Sequence, residues 1–307
     1  MPWKHYRLVF RLESPLHIGW RKAGNLMQTR RYVPARTLFG AWVAALTRAV
    51  WPPPWNACQY RQMESFVQEN FRVTYLWPAA SKDAVSFPWE NPERFDYRFL
   101  DAYASTAVAP EGDTAEEGSL HQVEYISPWT RQVFPVPSQN PDRQEDPSPV
   151  YLLGDLWIRS AVKNIPPKAD SYKLKTPEDL WNLLAHLRGL QLGGERTYGW
   201  GKVRLVQREP REGTAEGECL FLSKDWVWRV EKDEVVVESR TGEAWTLAHA
   251  LPGSCPLAAQ VEPLTAYRFG EKGFSLEMSA VAYGPGARVP QGRRFRIRGG
   301  DGLWVPV

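Results

Sequence analysis

A chain of 307 residues with 43% hydrophobic and 24% charged side chains can bury a core of one or two domains, which argues against wholesale disorder. Thirty-eight Lys and Arg against 35 Asp and Glu leave a formal charge of +3, too small a sum to identify a polyanionic partner, so the placement of the charge carries the information. The 26 prolines and 15 tryptophans point to short elements, many loops and large aromatic anchors. Three scattered cysteines (Cys58, Cys219 and Cys255) lack CxxC spacing, which speaks against a disulfide scaffold or a zinc knuckle. No run approaches the roughly 18 apolar residues of a membrane span, and the N-terminus runs straight into a strand pattern, so the expectation is a cytoplasmic chain with no membrane partner.

In chain order, residues 5–13 alternate polar and apolar, with Tyr6, Leu8, Phe10 and Leu12 on one face of a half-buried strand. Residues 21–31 are polar, contain a glycine and lack apolar periodicity, which predicts a loop. Thr37 can cap a helix through LFGAWVAALTRAV that the Trp51-Pro-Pro-Pro run stops. Residues 56–77 hold a second helix and the strand RVTYLW. Between about 78 and 150, clustered prolines and acidic stretches interrupt the pattern, which predicts a large insertion of loops and hairpins. VYLLGDLWIRSAV is a strand or a helix. Thr176-Pro177-Glu178-Asp179 then places a cap, a first-turn proline and two acids at the start of a further helix. The segment GLQLGGERTYGWGK leads into the strand VRLVQ, and beyond residue 208 short β-like runs alternate with turns. The expected organisation is a domain over 1–207, interrupted at about 78–150, followed by a β-rich region over 208–307.

Two segments carry candidate chemistry. Gly193, Gly194, Gly199 and Gly201 flank Arg196, Tyr198, Trp200 and Lys202. Glycines permit close approach of backbone N–H groups to phosphate, while arginine and aromatics suit a ribose-phosphate chain with stackable bases. The segment lacks the spacing of a Walker A loop, and its helix–loop–strand order is the reverse of a dinucleotide fingerprint. The second is the basic segment Arg21, Lys22, Arg30, Arg31 and Arg36, within which no acid falls; such cations neutralise phosphates. A third basic cluster (Arg288, Arg293, Arg294, Arg296 and Arg298) reads equally as a charged strand face or a protected edge. Among the five histidines, His5 falls in the exposed phase of the first strand. His17 lies beside the basic segment; it reads as a packing residue, with general-base activation of a ribose 2′-OH as the catalytic alternative. No metal-ligand spacing and no cofactor motif is visible.

SPLHIG followed by RYVPARTLFGAW resembles the opening of RAMP-superfamily proteins of CRISPR–Cas systems, and GLQLGGERTYGWGKVRL resembles their glycine-rich loop. The resemblance implies an α+β chain with a ferredoxin-like (RRM-like) domain. It also implies guide RNA (crRNA) as partner, with the backbone and large subunits of an effector complex beside it and target RNA met indirectly. Members that cut target RNA carry an aspartate after the first strand, whereas residues 19–36 here contain no acid. About 100 residues follow the glycine-rich loop, unlike the stand-alone guide-processing endonucleases. The expectation is therefore a non-catalytic, type III (III-D-like) subunit near the 5′-handle end, the alternative being a metal-independent endoribonuclease acting on precursor guide RNA.

Overall fold

The computed structural model describes residues 2–106, 121–132, 146–172, 174–187, 189–206, 212–253, 256–270 and 273–307. The first half contains strands β1 (Trp3–Leu12), β2 (Gly19–Ala23) and β3 (Leu26–Thr29), helices α1 (Ala35–Val50) and α2 (Ala57–Asn70), and strands β4 (Phe71–Val73) and β5 (Trp77–Ala79). Then come α3 (Pro92–Phe99), β6 (Leu100–Ser105), β7 (His121–Ile126), β8 (Tyr151–Arg159), α4 (Pro177–Ala185) and β9 (Val203–Leu205). The remainder is β10 (Trp226–Glu231), β11 (Glu234–Ser239), β12 (Ala244–Trp245), β13 (Val261–Gly270), β14 (Gly273–Tyr283), β15 (Arg288–Val289), β16 (Arg294–Ile297) and β17 (Trp304–Pro306).

The first sheet runs β4-β8-β1-β9, with β5 also pairing β8, and every pair in it is antiparallel. Ignoring the added elements, this is a β-α-β-β-α-β chain whose fourth and third strands flank the first, which is the ferredoxin-like arrangement. The ambiguous segment at 151–159 is thus a strand, and the plain helix start at Thr176 is real. The Thr176 hydroxyl accepts from the Asp179 N–H, and the Asp179 carboxylate accepts from the Thr176 N–H. The first helix begins two residues before the expected cap. Extended Pro34 is its N-cap, with no side-chain capping bond, and Thr37 lies inside the first turn. Proline fixes φ near the helical value and bars its predecessor from helix, so the boundary follows Pro34 rather than the nearest hydroxyl.

Strand β1 is buried on both faces rather than one. His5 is 3% exposed, against the expected exposed phase. The chain after residue 212 covers that face: the His5 Nε2–H donates to Asp155 Oδ1 (2.8 Å), and His5 Nδ1 accepts from the Thr214 N–H (2.9 Å). Asp155 also accepts from the N–H groups of Phe221 and Leu222, so one buried carboxylate ties the first sheet to the following segment. ECLFLS at 218–223 reaches only an isolated bridge from Cys219 to Val227 of β10 for the same reason, the N–H groups of Phe221 and Leu222 being spent on Asp155 instead of a strand partner.

The polar segment 21–31 belongs to a β-hairpin, not a loop. Strands β2 and β3 turn at Gly24-Asn25, and β3 continues into a four-stranded sheet ordered β2-β3-β7-β6. The region expected as an insertion supplies β6 and β7 to this sheet, together with α3, whose Asn91 cap and first-turn Pro92 are a start signal within the proline cluster. The acidic stretch 111–117 and most of 131–149 lie outside the described residues. Beyond 212, β10-β11-β16-β17 form one sheet and β13 and β14 pair as a long hairpin. One buried core joins residues from before and after position 207, including Trp3, Trp157, Trp228 and Trp304.

Candidate nucleic-acid interface

Because β9 runs antiparallel to β1, the connection entering β9 lies at the end where β1 exits. The glycine-rich segment is therefore built directly onto residues 14–18, which lead into the β2–β3 hairpin. The Gly194 N–H donates to the His17 carbonyl (2.9 Å), the Gly201 N–H to the Pro15 carbonyl (2.7 Å) and the Lys202 N–H to Ser14 Oγ (2.9 Å). The two candidate segments thus meet, and the glycines serve the junction rather than a phosphate. A Cβ on Gly193 would stand 2.2 Å from the His17 carbonyl oxygen, and one on Gly201 only 1.9 Å from the Leu192 carbonyl oxygen. Both residues have positive φ (75° and 77°). They are glycine because backbone crosses backbone here. The N–H groups of Tyr198, Gly199 and Trp200 also donate within the loop, to Glu195 or Arg196 carbonyls. The loop thus offers a ligand mainly its side chains.

Those side chains divide. Arg196, Tyr198 and Lys202 are exposed, Tyr198 by 78%. Trp200 is half-buried, its ring 5.0 Å from Tyr125 and 6.3 Å from Tyr103 in edge-on geometry, so it anchors the second sheet to the loop. Arg196 and Thr197 line one side of a groove of about 430 Å³. Its other side is the small-residue face of α1 (Ala41, Ala44, Ala45 and Ala49), with Arg48 and His186 at the margins. Its lining carries no carboxylate. Arg48 is a contributor that sequence reasoning missed, since one arginine in an alanine-rich helix has no local mark.

The basic segment divides likewise. Arg21 and Lys22 are exposed on β2; Arg21 donates to Gln28 Oε1 (2.6 Å) and lies over the Trp20 ring. Arg30 is instead a bidentate partner of Glu262, at 3.0 and 2.8 Å, and also donates to the Tyr32 hydroxyl. Arg31 pairs with Asp96 through two nitrogens, and Arg36 donates to the Thr265 carbonyl (2.7 Å). Three of the five expected phosphate-binding cations of this segment therefore fasten the hairpin and α1 to acids and carbonyls of distant segments. The third cluster is similarly committed: Arg294 pairs with Glu231, Arg298 with Asp301, and Arg288 lies over Trp245. Strand β16 sits between β11 and β17, so it is not an edge.

His17 is 7% exposed; its Nδ1–H donates to the Glu124 carbonyl (2.7 Å) and its ring lies beneath Gly194. That is a packing histidine linking loop and second sheet. A second buried histidine joins the Arg30–Glu262 pair. The His249 Nε2–H donates to Glu262 Oε1 (2.5 Å), and the Tyr75 hydroxyl donates to His249 Nδ1 (2.8 Å). Burial pulls the His249 imidazole below its ordinary value, Glu262 opposing. Burial would raise the Glu262 carboxyl, but hydrogen bonds from His249 and Arg30 outweigh it and hold the group at about 2. Among the described residues, no group of three or more His, Cys, Asp or Glu side chains could hold a metal ion, and no helix is long and apolar enough to cross a membrane.

The profile of the RAMP superfamily matches residues 9–204, which include both glycine-rich and basic segments. No curated protein matches the chain. Solved chains do match; one comes from a cryo-EM structure of the type III-B Cmr-beta bound to cognate target RNA. It is 11% identical, with a TM-score of 0.37, over 66% of this chain and 96% of that one.

Proposed function

The chain belongs to the RAMP superfamily, and on that premise we propose that it binds guide RNA without cutting it, as a subunit of a type III CRISPR effector complex near the 5′-handle end. The observation that carries this reading is the acid-free groove between α1 and the glycine-rich loop, edged by Arg48 and Arg196 and floored by alanines. Small side chains let a ribose-phosphate chain approach the helix, and two guanidiniums at the margins can each engage a phosphate. Lys202 and the hairpin cations Arg21 and Lys22 extend the positive surface from the same junction. Neighbouring backbone and large subunits would complete the RNA path.

The absence of acid from residues 19–36 supports a binding role over target cleavage. The buried, carbonyl-bound His17 gives the endoribonuclease reading no exposed base at the position from which it was drawn. Labelled CRISPR-repeat RNA incubated with the protein in EDTA, then run on native and denaturing gels, tests the proposal. It predicts a retained, intact RNA. A discrete cut would replace it with the processing enzyme, and free, intact RNA would leave a protein scaffold.

A further inference from the structure

Resting on that RNA-binding reading, we infer that the second sheet carries a stacking site for unpaired nucleobases, centred on Tyr103. Register places the site. Tyr103 pairs with Val123, Val123 with Met27 and Met27 with Lys22, so these four side chains form one row on one face of the sheet. Strands are about 4.8 Å apart, which sets Lys22 about 15 Å from Tyr103 across that face. Tyr125 lies two residues beyond Val123 and shares the face. Against it stands Trp200 of the glycine-rich loop, edge-on to both Tyr125 and Tyr103. Two segments far apart in sequence thus bring three aromatic rings together, and the outermost, Tyr103, is 56% exposed.

A T-shaped contact occupies at most one face of a ring, so Tyr103, more than half exposed, keeps a broad face open, and an exposed tyrosine loses little conformational entropy when a flat partner covers it. The partner is a base rather than an apolar protein face because of what borders the rings. Lys22 stands at one end of the row, and Lys202 follows Trp200 directly; both are exposed. The stack is therefore flanked by cations that can meet the phosphates of a strand whose base lies on Tyr103. Asp101, on the same face, is neutralised by its pair with Arg131 (2.7 Å) and accepts a hydrogen bond from the Tyr125 hydroxyl, which fixes that ring beside Trp200.

The test measures affinity of the full chain for an unstructured single-stranded RNA and for a duplex of the same length, across a salt series. Tyr103→Ala should weaken single-strand binding about tenfold while leaving the duplex affinity and the salt slope unchanged, and Tyr103→Trp should restore it. If Tyr103→Ala binds both RNAs like wild type while Arg196→Ala binds less, the stacking site is wrong and the RNA-binding function stands. Equal losses for duplex and single strand, or a shallower salt slope, would also overturn it. If wild type binds neither RNA, the function on which the site rests fails with it.

Discussion

Arg196 and the loop glycines make separable demands. Replacing Arg196 by Ala removes an exposed guanidinium from the groove margin and should weaken RNA binding several-fold with no change in melting temperature, checked by filter binding and thermal melts on the same samples. Gly201→Ala should do the reverse of that stability result. Its Cβ would stand 1.9 Å from a backbone oxygen at a φ of 77°, which should cost roughly 3 kcal/mol or more in a denaturant titration. Gly199 also has positive φ (81°), but its Cβ would meet nothing closer than the mobile end of Lys202 at 3.9 Å; Gly199→Ala should cost about 1–2 kcal/mol. At this scale the sequence shows where the loop lies but not what its glycines do. Four glycines with an arginine look alike whether their N–H groups face a phosphate or a neighbouring strand. What decides it, the carbonyls of Pro15 and His17, lies more than 170 positions away.

Elements are legible where local chemistry governs them. Helix α4 has its complete capping box, α2 has another at Asn56 and Gln59, and Trp51 ends α1 as the following prolines require. They are illegible where tertiary pairing supplies the hydrogen bonds. The β2–β3 hairpin is polar because most of it is exposed, so no apolar alternation betrays it; its order comes from the parallel pairing of β3 with β7. Trp200 closes this second sheet onto the loop. Trp200→Ala should therefore speed amide exchange in β7 well before it affects β1, readable by hydrogen-exchange mass spectrometry. The seam between the end of the β2–β3 hairpin and β13 is held by Arg30, Glu262 and His249, and it fixes a pH response. The Glu262 carboxyl is lowered in the folded chain, so its contribution is full above the ordinary value of 4.5 and is lost as pH falls toward about 2. Depression of the His249 imidazole acts in the same direction, favouring the folded state at higher pH. Melting temperature should drop between pH 5 and pH 3 in wild type and drop less in Glu262→Gln, which starts lower.

At the scale of the whole molecule, the ferredoxin-like sheet, the second sheet and the C-terminal β region converge on residues 14–36. Chain order and motif spacing carry the first of these, since β-α-β-β-α-β with a glycine-rich final connection permits few topologies. The other two depend on contacts such as Asp155 with Phe221 and Arg30 with Glu262, which join residues 66 and 232 positions apart. That is why a run of cations read as one surface separates into exposed Arg21 and Lys22 and structural Arg30, Arg31 and Arg36. The central claim is that the exposed cations at this convergence bind an RNA backbone. The most direct measurement is the affinity of wild type and of Arg196→Ala for single-stranded repeat RNA between about 50 and 200 mM salt. The account predicts a steep loss of wild-type affinity with salt and a slope shallower by about one phosphate contact in the variant. Identical slopes for the two proteins, or no binding at the lowest salt, would contradict it.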